Sequence, residues 1–430
     1  MTSKPLKGLA IAPQPFFSPR GTPLSVYYRS LVTSEMGIGV DLLTYGEGQD
    51  VVIPGVRIVR IPRIRFLEPI KIGPSAAKLF LDVFVILWTL GLLIRNRYDF
   101  VHAHEESIFF SRFLKPIFGF KLIYDMHSSL PEQLTNYKFT TSKLVIGAFE
   151  WLENTCLKAS DAVITICPEL ARHAEARMPD PSRHLLIENS IFDPVRLKDA
   201  PPRPADAPMP ELAEVPSDRP IVVYAGTFEA YQGLDILIEG FAQARAACPE
   251  AFLLMVGGNP AQVERYRALA HGHGLEGHCL FTGRVEQVRA KACMARADIL
   301  TSPRSTGSNT PLKIYELLDS GKPIVATRIL SHTQVLDEEV CFMVDPTPAS
   351  MAGGLSAALT DTPRREGVVA AARALYRERY SRPIYEAKMR RLFEIIGLGA
   401  GLAPARDPAA RTDPAPATPA EPPVRAAMSR

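Results

Sequence analysis

The sequence is poor in the residues that mark several common classes of protein. It has 6 cysteines in 430 residues, and no two are spaced as Cys-x-x-Cys. This argues against structural zinc sites and disulfide frameworks, and it favours a reducing compartment. The formal net charge is only +3, so the overall charge gives no support to nucleic-acid binding. We therefore expect a globular protein whose partners are not nucleic acids.

Long hydrophobic segments are also scarce. The most apolar run, residues 79–94, has 16 residues and contains Asp82, whereas a bilayer span needs roughly 20 apolar residues. We expect a helix packed on a sheet here, and a helix at a membrane interface is the alternative. No stretch shows the pattern of a secretory signal peptide.

Short apolar runs alternate with helical periodicity along most of the chain. This pattern predicts the α/β class, with parallel strands and helices on both faces of each sheet. A segment with 8 prolines in 27 residues, 194–220, interrupts it, and the alternation then restarts. The last 30 residues hold 7 prolines and 9 alanines, which cannot build a core.

The sequence therefore predicts two tandem doubly wound, Rossmann-like domains that face a cleft. We assign residues 1–193 to an acceptor-side domain, 194–220 to a Pro-rich connection and 221–375 to a donor-binding domain. Residues 376–398 are expected to form a helix that returns to the first domain, and 399–430 a disordered tail. Ligands of such folds lie beyond the carboxyl ends of the strands, so we place the site in the cleft.

Two predicted helix starts share the same wording, one in each domain. Gly21-Thr22-Pro23 follows the first strand, and Thr310-Pro311 follows the strand that ends near residue 302. Each threonine can cap its helix, with proline in the first helical position. Free N–H groups and the helix dipole suit a phosphate. Basic residues flank these starts: Arg20, Arg304 and Lys313. Two ordinary capped helices are the alternative interpretation.

Polar side chains end two other predicted strands. His102, His104, Glu105 and Glu106 end one strand, and Asp125 and His127 end the next. Such residues over a cleft are candidates for chemistry. Three histidines with carboxylates make a metal site conceivable, but no two of them have helical spacing, and we expect no metal.

The segment from Arg57 to Lys78 has six Lys or Arg residues against one acid, Glu68, and Phe66 lies among them. This composition is suited to anionic lipid headgroups. The alternative is the basic rim of a strand and its loop.

Four passages resemble the retaining nucleotide-sugar glycosyltransferases of the GT-B fold, the bacterial "group 1" family. They are PRGTPLSVYYRSLVTSEMGIGVDLLTYG, DFVHAHEE with YDMHSSLPEQL, IVVYAGTFEAYQGLDILIEGF, and SNTPLKIYELLDSGKPIVAT. The resemblance covers nearly all of residues 5–398, and the last passage is the most specific. It implies a donor bound by the second domain and an acceptor bound by the first.

The resemblance also implies roles for individual residues. Glu316 matches the second Glu of the family's Glu–seven residues–Glu motif, which holds the donor ribose. His127 matches a strand-end His near the transferred sugar, and Gly21 matches the glycine loop near the diphosphate. Family members usually need no metal, so we expect no cofactor. The residue pattern and the resemblance together predict the site. The predicted catalytic residues are His127 and Lys313; the acceptor-side residues are His104 and Glu105; the donor-binding residues are Gly21, Thr22, Thr227, Arg304, Ser308, Asn309, Thr310, Pro311, Leu312 and Glu316.

Three positions depart from the family's pattern. The first Glu of the paired motif falls on Ser308, and the usual Arg and Lys of the second domain are replaced at Thr227 and Gln232. Those two bases normally meet the diphosphate. We expect Arg304 and Lys313 to substitute for them, together with the helix start that lies between them.

The sequence thus predicts transfer of a hexose-type unit from a UDP- or GDP-sugar to an acceptor hydroxyl. The predicted pathway is polysaccharide, lipid-linked glycan or glycolipid synthesis. The predicted location is the cytoplasm, peripheral at the inner face of the cell membrane. A nucleotide-sugar epimerase on the same fold and a non-catalytic sugar-nucleotide or glycan-binding subunit remain alternatives.

Overall fold

The first domain is built on a seven-stranded sheet in which all strands are parallel. The computed structural model describes residues 5–18, 21–70, 75–129, 142–189, 191–192, 194–198 and 210–404. The strand order is β3-β2-β1-β4-β5-β6-β7. The strands are Val- and Ile-rich and mostly buried on both faces, as a sheet covered on two sides requires. Their bounds are β1 Lys7–Ala12, β2 Gly39–Thr44, β3 Val56–Arg60, β4 Phe100–His104, β5 Lys121–Met126, β6 Ala162–Thr165 and β7 His184–Leu186.

The second domain repeats this plan with a six-stranded parallel sheet in the order β10-β9-β8-β11-β12-β13. In both sheets the order reverses beside the first strand of the domain, so that a crevice opens there at the carboxyl edge. The predicted pair of doubly wound domains is confirmed. The bounds are β8 Ile221–Ala225, β9 Phe252–Val256, β10 Cys279–Gly283, β11 Ile299–Ser302, β12 Ile324–Thr327 and β13 Phe342–Val344.

Helices connect the strands and cover both faces of each sheet. Side-chain caps fix several of their starts, such as Ser75 before α2 and a capping box at Asn259 before α8. The helices are α1 Gly21–Glu35, α2 Ala76–Arg95, α3 Ile108–Phe118, α4 Lys143–Ala159, α5 Pro168–Glu175, α6 Pro210–Ala213, α7 Leu234–Ala244, α8 Pro260–Gly272, α9 Gln287–Ala295, α10 Lys313–Asp319, α11 Leu330–Thr333, α12 Pro348–Thr360, α13 Thr362–Leu375 and α14 Arg382–Ile395.

The last helix, α14, leaves the second domain and packs on the first. Its side chains Tyr385, Met389 and Phe393 belong to the same buried cluster as residues of β1 and α1. An ion pair of 2.5 Å between Lys388 and Glu188 adds a polar contact on the same side. The chain therefore ties the two domains together twice. Of the predicted connection 194–220, residues 199–209 lie outside the described residues and Pro210–Ala213 form α6. Of the predicted disordered tail 399–430, residues 405–430 lie outside the described residues, but the boundary at 399 was wrong. Gly399–Gly401 form a 3₁₀ turn and the Ala403 N–H donates to the Met36 carbonyl at 2.8 Å, because this stretch still packs on the first domain.

The apolar segment 79–94 forms part of α2, which contacts β2. Leu81, Val85, Thr89 and Leu93 are buried against the sheet, as expected for a helix packed on it. Yet α2 is long and apolar enough, with a mean hydropathy of 2.1, to cross a membrane by length and composition alone. Only its inner side is buried, and its outer side contacts solvent.

Candidate active site

The carboxyl edges of the two sheets meet at a cleft, and a few side chains bridge it. Asn309 Nδ2 donates to the His127 carbonyl at 3.0 Å, and Cys167 Sγ lies 3.6 Å from Asn309 Oδ1. Gln334 accepts from the Glu169 backbone N–H at 2.8 Å and donates to the Ser308 carbonyl. Both ends of the Asn309 amide therefore hold the domains together. Asn309 makes its contacts across the cleft, whereas the Ser308 carbonyl accepts from Gln334 of its own domain. Donor binding by Asn309 and Ser308 stays a prediction.

On the side of the first domain, a buried carboxylate organises three histidines and an arginine. Asp125 Oδ2 lies 2.5 Å from Arg29 Nε, 3.0 Å from His102 Nε2 and 3.4 Å from His104 Nδ1. Its other oxygen lies 3.3 Å from His127 Nε2. All five side chains are almost completely buried. The strand ends β4 and β5 supply four of them because the register pairs His104 with Asp125.

Arg29 and Asp125 form the ion pair at the centre of this cluster. Burial alone would raise the pKa of the Asp125 carboxyl, but Arg29 and the neighbouring histidines outweigh it and hold the pKa well below its usual range. Burial lowers the pKa of His127 to about 4, and that of His104 well below its ordinary value. Both imidazoles are therefore neutral near pH 7. They can donate hydrogen bonds to a sugar or accept them from it, but a neutral imidazole is only a weak general acid.

The same cluster could geometrically hold a metal ion. Ligand atoms of His102, His104 and Asp125 lie within 4.8 Å of one another. However, the Arg29 guanidinium contacts the same Asp125 oxygen that a cation would use. Because Arg29 already balances the carboxylate, the residues do not fit a divalent cation well. Independence from metal stays a prediction.

Glu105, predicted on the acceptor side, has an unusual backbone and environment. It is a non-glycine residue with φ of 50°, a conformation that costs energy and is often found at functional sites. Burial, together with repulsion from Glu106, raises the pKa of Glu105 to about 7. Glu106 pairs with Lys78 of α2 at 2.8 Å. The strand end after His104 therefore carries a carboxyl that holds its proton at a higher pH than an ordinary glutamate does.

On the side of the second domain, Lys313 is the most unusual residue. It is the first residue of α10. Its Nζ is shielded from solvent and has no hydrogen-bond partner among the described residues. The ammonium lies 4.2 Å from the centre of the Tyr224 ring. Burial, and then the neighbouring Arg304, lowers the pKa of Lys313 to about 7. An unpaired buried cation is costly, so its position points to an anion that binds there.

Arg304 is the second cation of this region. Its guanidinium donates to the carbonyls of Thr306 at 2.8 Å and Asn309 at 3.1 Å, and it lies 5.0 Å from the Tyr231 ring centre. It forms no ion pair within the described ranges, and burial lowers its pKa. Lys313 and Arg304 thus present positive charge without a carboxylate to neutralise it.

Thr227 and Gln232, which replace the usual bases, lie in the loop after β8. Gln232 Nε2 donates to Thr227 Oγ1 at 3.4 Å, and the Tyr224 hydroxyl donates to the Thr227 carbonyl at 2.7 Å. Gly233 follows with φ of 66°, and a Cβ there would lie 2.1 Å from the Pro303 carbonyl oxygen. Only glycine permits this close approach, which brings the loop against the segment that carries Arg304.

The two helix starts face each other across the cleft, but neither begins where the sequence predicted. A Cβ on Gly21 would lie 3.5 Å from Leu312 Cδ1. Helix α1 begins at Gly21, so Thr22 lies inside its first turn and is not its cap. Helix α10 begins at Lys313, with Leu312 before it in helical conformation. Thr310 is therefore not its cap either, and Pro311 precedes its first turn.

The shift of the start of α10 has a simple local reason. The backbone N–H groups of Ile314 and Tyr315 bond to the carbonyls of Pro311 and Leu312, three residues back. The first turn is therefore tighter than an α-helix, and the cap predicted from Thr310-Pro311 is replaced by this turn. Thr310 Oγ1 is buried without a hydrogen-bond partner in the described part of the chain. Arg20, the basic neighbour of the other start, lies outside the described residues.

Glu316, the predicted ribose ligand, lies on α10 with a side chain that is only 16% exposed. Its Oε1 lies 3.6 Å from Lys291 Nζ of α9. Burial raises the pKa of Glu316 although Lys291 opposes this. Glu316 is thus neither a solvated surface residue nor a free carboxylate, and a ligand would have to share it with Lys291.

Several residues of the cleft were not predicted from the sequence, among them Arg29, Tyr224 and Gln334. Arg29 lies in a stretch of α1 where the residues around it are all buried. An arginine within a stretch of mostly apolar residues is a signal in the sequence, because a buried arginine needs a buried partner for its charge. Nothing in the local pattern marks Tyr224 or Gln334, because their roles depend on contacts with distant segments.

Comparisons with known proteins agree with this architecture. The model of the family described as "Glycosyl transferases group 1" matches residues 210–375, and that of the "Glycosyl transferase 4-like domain" matches residues 27–190. Each match therefore falls largely on one of the two domains.

Individual relatives are similar over part of the chain. A D-inositol 3-phosphate glycosyltransferase of Xylanimonas cellulosilytica is 33% identical over 187 residues, 41% of this chain and 44% of that protein. A phosphatidyl-myo-inositol mannosyltransferase of Mycobacterium tuberculosis is 29% identical over 187 residues, 42% of this chain and 48% of its own length. The chain thus spans about half the length of these curated relatives.

A solved structure matches over nearly the whole length. Anabaena Alr3699/HepE in complex with UDP aligns with a TM-score of 0.65 and 14% identity, over 91% of this chain and 100% of that one. This likeness shows the two-domain GT-B fold. Residues 210–375 match the group 1 glycosyltransferase family and residues 27–190 match the glycosyltransferase 4-like domain, so the two family matches and the fold together support a group 1 glycosyltransferase.

Proposed function

We propose that the protein is a retaining glycosyltransferase that moves a hexose-type sugar from a UDP- or GDP-sugar to an acceptor hydroxyl. The observation that carries the proposal is the pair of cations without carboxylate partners, Lys313 and Arg304, at the cleft. A diphosphate is the part of such a donor that needs buried positive charge. The facing helix starts at Gly21 and Leu312 add backbone N–H groups on the same side.

The rest of the donor would follow α10. Glu316 lies one turn beyond Lys313 and can accept hydrogen bonds from a ribose diol, in competition with Lys291. UDP is the favoured nucleotide because the structure of Anabaena Alr3699/HepE contains it, and GDP is the alternative. Thr227 and Gln232 lie in the loop after β8 and would contact the donor through polar, uncharged groups.

The chemistry requires one bond to break and one to form on the same face of the sugar. The bond between the anomeric carbon and the phosphate oxygen breaks, and its electron pair remains on the diphosphate. The acceptor oxygen then bonds to the anomeric carbon, and its proton passes to the departing phosphate oxygen. Lys313 and Arg304 would stabilise the charge that grows on the phosphate.

The other wall of the cleft would orient the reactants. Neutral His127 and His104 can hydrogen-bond to sugar hydroxyls, with Arg29 and Asp125 holding them in place. Glu105 lies at the strand end on the acceptor side. The two curated relatives act, by their names, on an inositol phosphate and on a phosphatidyl-inositol. This supports a glycan or lipid-linked acceptor, and with it a cytoplasmic enzyme that works at the inner face of the membrane.

A panel of UDP- and GDP-hexoses tests the proposal. Release of nucleotide should require a sugar acceptor, and NMR of the product should show the anomeric configuration of the donor. Inverted configuration would overturn the retaining mechanism. Loss of donor without an acceptor, with formation of a second sugar isomer, would indicate the epimerase.

One further candidate is supported by the departures at Ser308, Thr227 and Gln232: a non-catalytic sugar-nucleotide-binding subunit. Calorimetry separates it from the transferase. Tight binding of a donor, without slow hydrolysis or transfer for any donor of the panel, would establish the binding subunit and reject the enzyme.

A further inference from the structure

Two helices on the same side of the first sheet, α2 and α3, expose large apolar side chains. On α2 the exposed residues repeat at helical spacing and fall within one stripe about 100° wide. On α3, Phe113 and Ile117 are exposed one turn apart. We call this surface the outer apolar face; its residues are Leu79, Phe80, Val83, Leu87, Ile94, Phe113 and Ile117.

The charged groups of these two helices are mostly paired with polar groups outside that face, although the Arg112 guanidinium also lies 4.3 Å from the ring centre of Phe113. On α2, Lys78 pairs with Glu106 at 2.8 Å and Asp82 accepts from the Tyr45 hydroxyl at 2.6 Å. On α3, Lys115 pairs with Asp161 at 2.8 Å, and Arg112 bonds to a threonine of α4. Between Leu79 and Arg95 the exposed stripe therefore has no charged group. An ordinary surface helix places its charges outward instead.

Unpaired bases lie at the ends of this face. Arg65, next to the highly exposed Phe66, precedes α2; Arg95 ends the last turn of α2 and Arg97 follows it. All three are exposed and have no ion-pair partner in the described ranges. Most other bases of the segment 57–78, in contrast, are used internally: Arg57 pairs with Asp41, Arg60 with Asp50, and Arg63 with Glu68. Lys71 lies outside the described residues.

We infer that the outer apolar face is a docking surface for an anionic lipid bilayer, with α2 lying in the plane of the interface. An apolar helix face bounded by arginines matches the acyl chains and the anionic headgroups together. A protein partner fits less well, because protein interfaces carry polar and hydrogen-bonding groups across their rims, and the stripe offers none. The burial of Leu81, Val85 and Leu93 on the sheet keeps α2 on the protein surface and prevents it from crossing the bilayer.

The position of α2 links this surface to the cleft. The helix begins at the carboxyl edge of the sheet, where Lys78 contacts Glu106 next to Glu105. A bilayer in contact with Leu79 and Val83 would lie beside the predicted acceptor side. The link to the acceptor rests on the proposed function, whereas the binding of vesicles does not. An experiment can therefore reject the docking surface without rejecting the proposed function, and the reverse.

Intrinsic fluorescence of the full chain tests the docking surface. Its only two tryptophans, Trp88 and Trp151, lie on α2 and α4, on the same side of the sheet. Vesicles of phosphatidylglycerol and brominated phosphatidylcholine should quench their emission at low salt, and vesicles without the anionic lipid should quench it less. The double variant Val83→Asp with Leu87→Asp should weaken vesicle binding about tenfold or more, since two apolar side chains lose their burial.

A matched control exists in the second domain. Val83 and Leu87 are 53% and 55% exposed, and Val288 and Leu330 are 58% and 47% exposed. Val288→Asp with Leu330→Asp should leave vesicle binding unchanged. Transfer to a soluble acceptor should be normal in both variants. The inference is overturned if the wild type ignores anionic vesicles at low salt, or if both double variants lose binding equally. It is also overturned if light scattering shows a dimer that the first variant dissociates while vesicle binding persists.

Discussion

Replacing Lys313 with Met should make the protein more stable and the enzyme far less active. In the free protein the ammonium is buried without a hydrogen-bond partner in the described part of the chain, and its pKa is lowered to about 7 from 10.5. That difference corresponds to roughly 5 kcal/mol of lost stability where the group is charged. It is an upper bound, because the site can relax. We therefore expect Lys313→Met to gain at least about 1–2 kcal/mol in urea unfolding at pH 7.

The lowered pKa of Lys313 also predicts how the stability difference between the wild type and Lys313→Met changes with pH. Between pH 7 and 10.5 the unfolded chain binds more protons at this position than the native protein does, so the stability of the wild type rises with pH. The Met variant lacks this contribution. The stability difference between the two should therefore shrink as the pH rises from 7 to 10.

Activity should change in the opposite direction. Loss of a cation that faces the departing phosphate should lower kcat by about 10²–10³-fold, while the affinity for uridine, which has no phosphate, should not change. Lys322→Met, at a half-exposed lysine of the same domain, is the control and should alter neither property. A Lys313→Met variant that is less stable than the wild type, or that retains full kcat, would refute the reasoning.

Three further outcomes are expected. Glu316→Gln should weaken UDP binding by roughly 1.5–3 kcal/mol in calorimetry, whereas Lys291→Met should strengthen it by freeing Glu316; unchanged affinity in both would remove Glu316 from the site. Asp125→Asn should destabilise the protein by about 3–5 kcal/mol because Arg29 is left buried and unpaired; since the native pKa is lowered, this contribution is present above about pH 4 and is lost as the pH falls, so the variant should show a flatter acid limb. Transfer should continue unchanged in EDTA, and a loss that zinc or magnesium restores would show that the histidine cluster holds a metal.

The sequence by itself determined the architecture because hydrophobic periodicity is a local property. Short apolar runs such as those around β1 and β8 predict buried parallel strands. Polar residues at the carboxyl ends of parallel strands then lie at one edge of the sheet. His104 and His127 could be assigned to the cleft for this reason. Each of the two helix starts is displaced by two residues, from Pro23 to Gly21 and from Pro311 to Lys313. At α10 the backbone hydrogen bond from Ile314 to Pro311 competes with the cap that the sequence offered.

Tertiary structure alone decided which of these groups are charged, paired or free. Nothing near Lys313 in the sequence indicates that its ammonium is buried over Tyr224, 89 positions away. Arg29 lies on α1 and Asp125 on β5, and only the folded chain brings the two side chains together. The exposure of α2 was equally hidden, since an apolar run reads the same whether one side or both are covered. Composition and spacing fix what a segment can form, whereas the electrostatics of a site depend on neighbours that are distant in the chain.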